Sequence, residues 1–158
     1  MSTDASTRGS TKEFVTFDIA GRLFGAEVSA VHDVFSVNAL TPVPLARPDI
    51  AGLLNLRGRI VTVIDARRRL GLPAQSTSGS RIAIGLDQDG VSYGLAVDAV
   101  GEVLALSDSQ FEENPVNLDD AWRDVSRGVY RLERGLLIAL DISRMLDAPG
   151  SEAVRQAA

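Results

Sequence analysis

An internal repeat constrains this chain more than any other feature. Phe24-Gly25-Ala26-Glu27-Val28 matches Tyr93-Gly94-Leu95-Ala96-Val97 at a shift of 69 residues, and Asp33-Val34 matches Glu102-Val103 at the same shift. Val63-Ile64-Asp65 matches Ala139-Leu140-Asp141 at a shift of 76. The seven extra residues fall in an acidic stretch of the second half, where a loop tolerates insertion. Repetition of this kind asks for two similar structural units. A small curled sheet has exposed edges and one apolar face, so two such units can bury those faces against each other. The expected fold is all-β with short helices, as two similar five-stranded barrels that share a core.

Strand signals follow one another along both halves. Phe14 to Ile19 and Leu23 to Val28 flank Ala20-Gly21 and read as a hairpin. Val31 to Val37 is short and apolar, and Pro42, Pro44 and Pro48 then forbid a central strand or helix. Ile50 to Leu56 and Arg59 to Asp65 form a second hairpin that turns at Arg57-Gly58. Ala66 to Leu70 is helix-forming and is stopped by Gly71-Leu72-Pro73, after which Ala74 to Ser80 is a linker. In the second half, Arg81 to Leu86 pairs with Val91 to Val97 across the four-residue turn Asp87-Gln88-Asp89-Gly90. Gly101 to Leu106 is a short apolar run, and Ser107 to Arg123 is a long polar loop with room for one helical turn. Gly128 to Leu132 pairs with Leu136 to Asp141, and Ile142 to Leu146 is a short helix. The folded region is thus 13–147, with repeat units at about 13–73 and 81–147 and flexible tails at 1–12 and 148–158.

Composition narrows the function classes. The 158 residues suffice for one domain or two small interlocked ones. Hydrophobic residues make up 45% and aromatics only 5%, so Val, Ile, Leu and Ala build the core. There is no cysteine, which removes disulfides, thiolate metal sites and cysteine nucleophiles and fits a cytoplasmic location. The start lacks the apolar segment of a secretory signal, and no apolar run reaches the roughly 20 residues of a membrane helix. A formal charge of −5 argues against broad binding to DNA, RNA or anionic lipid.

No constellation points to catalysis or a cofactor. His32 is the one histidine, so no second His or Cys is available for a transition-metal cluster, and no Ser-His-Asp order stands out. Asp87-Gln88-Asp89-Gly90 starts like a calcium loop, but Tyr93 and Leu95 stand where ligands are needed; a hairpin turn explains it. Gly85, Gly90 and Gly94 do not make a phosphate cradle. Arg67-Arg68-Arg69 reads as a solvated helix face near a C-terminus, where cations suit the dipole. Glu112, Glu113, Asp119 and Asp120 lie in a polar loop without an apolar pocket to raise a carboxyl pKa. Asn55-Leu56-Arg57-Gly58 joins two apolar strands and places an arginine that cannot be core.

These stretches together resemble the CheW family. The Phe14–Val28 hairpin, Val31-His32-Asp33-Val34, the Ile50–Asp65 stretch Gly-x-x-Asn-Leu-Arg-Gly-x-Ile-Val-x-Val-Ile-Asp, and Gly94 to Val100 with Val103-Leu104 all follow the family's pattern. Thr62, Ala66 and Asp33 depart from the usual Pro, Leu and Glu. The resemblance implies two intertwined SH3-like barrels that join the cytoplasmic tip of a chemoreceptor to the regulatory domain of the histidine kinase CheA. It implies receptor contacts at Val31, Asp33, Val34, Ile82, Gly94, Val100 and Val103, and kinase contacts at Gly52, Arg57 and Gly58. It implies no cofactor, no metal and no catalysis. The free protein is expected to be a monomer in the cytoplasm, recruited to receptor clusters at the inner face of the membrane. The same domain ends CheA and is fused to a receiver domain in CheV. The absence of an ATP-binding region, a phosphotransfer helix and a receiver domain favours a stand-alone coupling protein. Two other readings are an adaptor for a different output, such as type IV pili or social motility, and a barrel whose mouth holds a small ligand.

Overall fold

The computed structural model describes residues 11–38, 40–46, 48–72, 81–113, 120–133 and 135–146. Eleven strands run in order: β1 (Thr11–Ile19), β2 (Arg22–Glu27), β3 (Val31–Val37), β4 (Ile50–Leu56), β5 (Arg59–Asp65), β6 (Arg81–Gln88), β7 (Val91–Val97), β8 (Ala99–Ser107), β9 (Phe111–Glu112), β10 (Ser126–Leu132) and β11 (Gly135–Leu140). Three short helices follow strands or precede them: α1 (Ala66–Arg69), α2 (Asp120–Asp124) and α3 (Ile142–Leu146). Single 3₁₀ turns occupy Val28–Ala30 and Asp108–Gln110.

The strands form two sheets, ordered β8-β1-β2-β11-β10-β9 and β3-β6-β7-β5-β4. With the two-residue β9 set aside, the orders are the same under the repeat: β1 corresponds to β6, β2 to β7, β3 to β8, β4 to β10 and β5 to β11. Register agrees residue by residue. The parallel pair Phe24↔Ile138 becomes Tyr93↔Thr62, and Phe14↔Leu104 becomes Ala83↔Phe35. The units 13–73 and 81–147 therefore follow the repeat and not the sheets. Each sheet takes strands from both halves, because the chain crosses over at Val28–Ala30 and again at Asp98. That exchange is what makes the barrels intertwined.

Side-chain alternation produces three cores. Phe17, Ile19, Phe24, Ile64, Ile84, Leu95, Val97, Trp122 and Leu140 belong to one shared core between the sheets. Each sheet also closes a small core of its own: Phe35, Val37, Val61, Val63, Ala83 and Ala96 in one, Phe14, Leu106, Tyr130, Leu137 and Ala139 in the other. Four members of the second set, Phe14, Leu106, Leu137 and Ala139, are the repeat equivalents of Ala83, Val37, Val61 and Val63 in the first. The equivalents of Phe35 and Tyr130, Leu104 and Leu54, are partly buried and pack against these cores from outside.

Most expected elements are present, and four differences have local causes. β1 begins at Thr11, so Thr11 and Lys12 pair with Ser107 and Leu106 and do not belong to a tail. The β6–β7 hairpin pairs to Gln88↔Val91, leaving a two-residue turn at Asp89-Gly90 in place of a four-residue one. Both of its residues have positive φ, as do Ala20-Gly21 and Arg57-Gly58, the twist that suits tight hairpins. The stretch after Ser107 is more ordered than a loop: it contains a 3₁₀ turn with a capping box, then β9 and α2. The Arg67-Arg68-Arg69 run is not a solvated face. Arg67 pairs with Asp98, and Arg69 donates to the carbonyls of Met145 and Arg144 at 3.0 and 2.7 Å. The linker 74–80 and the tail 148–158 lie outside the described residues.

Candidate functional site

Two glycines open a cleft on the β3–β6–β7–β5–β4 sheet. Gly85 and Gly94 face each other across β6 and β7. A Cβ on Gly85 would collide with the Asp33 carboxylate, and one on Gly94 would stand 2.7 Å from Phe35 Cζ. The bare backbone therefore lets both side chains lie over the sheet. A register shift between Val31 and Asp33 inserts His32 as a bulge residue. The bulge reverses the alternation of β3. Val31 then faces the shared core, while Asp33, Phe35 and Val37 turn to the sheet's own core.

The β4–β5 turn supplies the other wall. Asn55 Oδ1 accepts the Gly58 amide at 3.0 Å, and Arg57 adopts φ 53° at the tip. Its Nη1 lies 3.2 Å from Asp33 Oδ2. Next to it, His32 Nε2 lies 2.8 Å from Asp87 Oδ2, and Arg59 bonds Ser92 Oγ and approaches Asp87 at 3.8 Å. These polar groups rim a small cleft of about 70 Å³ with Phe35, Leu56, Val61, Leu86 and Tyr93 in its walls. Arg59 engages the Ser92 hydroxyl and Asp87 engages His32, so this serine and histidine are each bound elsewhere and not to one another. Such an arrangement suits recognition: an apolar floor for a partner's side chain inside a rim of opposite charges.

The repeat supplies a twin of this cleft, unforeseen in the sequence reading. Glu102, Leu104, Leu106 and Leu132 line a groove with Glu133 on the other sheet. The shifts of 69 and 76 carry Asp33 to Glu102, Phe35 to Leu104 and Arg57 to Glu133. Where the first cleft has an acid and a base, the twin has two acids. Thr16 takes the place of Gly85, and its hydroxyl donates to the Glu102 carbonyl at 2.6 Å.

The expected contact residues divide into three groups. Asp33, Arg57 and Gly58 converge at the first cleft, and Val34 and Val103 are exposed at 40% and 53% on β3 and β8. Val31, Ile82 and Val100 are partly buried against the shared core. Gly94 and Gly52 are buried; Gly52 has φ 152° at a bulge where a Cβ would meet the Thr41 carbonyl at 2.8 Å. Val31 and Val34 are the repeat equivalents of Val100 and Val103, so the set lies as two matching pairs on two sheets.

Two carboxylates hold the frame. Asp65 is buried, caps α1 through the Arg67 and Arg68 amides, and pairs with Arg81 Nη1 at 2.7 Å. Asp98 binds the Arg67 guanidinium; that hydrogen bond holds its carboxyl below the ordinary value, against desolvation, and raises the arginine in turn. Burial pushes the Tyr130 phenol up. Among the described residues no group of three His, Cys, Asp or Glu could hold a metal ion, and no helix is long and apolar enough to cross a membrane.

Two interlocked sheets thus display a pair of related clefts and two exposed valines. A family model described as a CheW-like domain matches residues 13–150, and the chain belongs to that family. It is 31% identical over 143 residues to the chemotaxis protein CheW of Bacillus subtilis, covering 89% of this chain and 90% of the relative. It is 27% identical over 142 residues to the chemotaxis protein CheW of Rhizobium meliloti, covering 90% and 92%. The crystal structure of the scaffolding protein TtCheW from Thermoanaerobacter tengcongensis matches with a TM-score of 0.78 at 28% identity, over 89% of this chain and 96% of that one.

Proposed function

We propose that the chain is a non-catalytic chemotaxis adaptor that bridges the cytoplasmic tip of a chemoreceptor and the regulatory domain of a CheA-type histidine kinase. The observation that carries this reading is the CheW-like match over residues 13–150. The protein works in the cytoplasm at receptor clusters on the inner face of the membrane, and is a monomer when free. Its mechanism is assembly: one interface biases another through a shared scaffold, so receptor conformation reaches the kinase as a coupling energy.

In this reading the contact residues play unequal parts. Val34, Val103 and Asp33 meet the receptor directly. Val31, Ile82 and Val100 support that surface from beneath, and Gly94 acts by leaving room for Phe35. Arg57 and Gly58 meet the kinase at the turn, with Gly52 shaping the strand behind it. A pull-down from the native cytoplasm with the intact chain as bait tests the reading. Recovery of a chemoreceptor together with a histidine kinase is expected, and the receptor is lost with Asp33→Lys. Recovery of neither by the parent chain overturns the proposal.

A further inference from the structure

The two junctions between the sheets occupy equivalent places in the repeat and are held differently. At the first, Asp98 is the crossover residue between β7 and β8. Its carboxylate accepts Arg67 Nε at 3.0 Å, Arg67 Nη2 at 2.8 Å and the Ala20 amide at 2.8 Å. Arg67 sits in α1, which follows β5 of one sheet, and Ala20 is in the β1–β2 turn of the other. One carboxylate thus ties a helix of one sheet to a hairpin of the other. The Asp98 amide also donates to the Asp18 carbonyl at 3.0 Å. The two side chains are only 21% and 16% exposed, so the bidentate pair is shielded from the screening that weakens surface ion pairs.

At the second junction the same shifts place Ser29 where Asp98 stands and Ser143 where Arg67 stands. Two serines cannot form an ion pair. Beside Ser143 lies an open cleft of about 310 Å³ where Arg127 pairs with Glu27 at 2.7 Å, and Arg69 of α1 holds the neighbouring carbonyls of Arg144 and Met145. We propose that Arg67 and Asp98 are positioning residues that fix the orientation of β8 against the other sheet. β8 starts at Ala99, directly after Asp98, and carries Val100 and Val103. β3 carries their equivalents Val31 and Val34. The latch therefore sets the spacing between two matching apolar pairs on two sheets. This inference concerns the scaffold itself and stands whichever partners bind.

The test uses the intact chain, which has no cysteine to interfere with labelling. Ser36→Cys on β3 and Ala105→Cys on β8 are exposed repeat equivalents and accept spin labels. Pulsed electron resonance is expected to read one narrow distance in the parent. Arg67→Gln and Asp98→Asn are expected to broaden it about two-fold while strand circular dichroism stays unchanged, as β8 loses its fixed orientation against the other sheet. Arg67→Lys is expected to fall between, because an ammonium keeps the charge but not the bidentate fork. An unchanged distribution in folded Arg67→Gln overturns the proposal. If Asp98→Asn fails to fold, Arg67→Gln decides, since it retains the Asp98 bond to Ala20. Loss of strand signal in both variants also overturns it, because the pair would then be a requirement of folding and not of orientation.

Discussion

The cleft at Asp33 and Arg57 and its twin at Glu102 and Glu133 share strand order, register and bulge, yet differ in charge. The shared part is what close packing enforces. A β-strand shifted by one residue would turn its buried face to solvent, so pairing is held fixed on both sheets. Rim charges pay no such penalty. An exposed ion pair is worth about 0–1 kcal/mol, and its loss leaves the sheet intact. The comparison therefore separates residues that build the scaffold from residues whose charge is free to differ between the two faces.

The largest expected effect falls on the core that both sheets share. Phe24 is fully buried, stacks on Phe17 at 5.7 Å and leans on Trp122 at 5.4 Å. Phe24→Ala is expected to cost about 3–5 kcal/mol in urea denaturation, from lost transfer energy and the cavity left behind. Both sheets should melt in one transition; two separate transitions would break the picture of one interlocked unit. Val31 and Val34 sharpen the boundary between scaffold and surface. Val31→Asp places a carboxylate against the shared core and is expected to cost about 1–3 kcal/mol. Val34→Asp is expected to stay within about 0.5 kcal/mol of the parent while weakening receptor binding.

The Asp98 latch comes next and carries a pH signature. Asp98→Asn is expected to cost about 1–2 kcal/mol near neutral pH. The folded carboxyl lies below its ordinary value of 3.8, so its contribution is present above that value and fades as pH falls through the lower folded one. The gap between parent and variant urea midpoints should therefore close as the pH is lowered below about 4. The smallest effect is at Arg57. A tight turn of this type favours Asn-Gly, and Arg57 holds φ 53° against that preference. Arg57→Asn is expected to change stability by less than about 1 kcal/mol, with any gain from the turn offsetting the lost pair, and to weaken ternary assembly measured by co-sedimentation with receptor membranes and kinase.

Sequence reasoning reached what is local. Hairpins announce themselves through Ala20-Gly21, Arg57-Gly58 and Asp89-Gly90 between apolar runs, and α1 through its Gly-then-Pro stop. What it did not reach is set by distant chain segments. Arg67 and Asp98 are 31 positions apart, and Arg69 and Met145 are 76 apart, so three consecutive arginines looked like a solvated face. The intertwining of the barrels was expected through the family resemblance alone, because the crossover at Val28–Ala30 is one 3₁₀ turn without a distinctive composition. The twin cleft was within reach. Asp33-Val34 already matched Glu102-Val103, and carrying the shift of 76 from Asp65 back to Arg57 would have named Glu133. For Val31, Ile82 and Val100, a resemblance could name the positions, but only the cores could show that they lie partly beneath the surface.

The bridging account is tested most directly by titrating the intact protein into receptor membranes and kinase while following kinase autophosphorylation. A bridge joins one site on each partner, so activity should rise until the protein matches the kinase. It should then flatten or fall as excess copies fill receptor and kinase sites separately. Full activation by a trace amount, far below the kinase and with repeated turnover, would contradict the account.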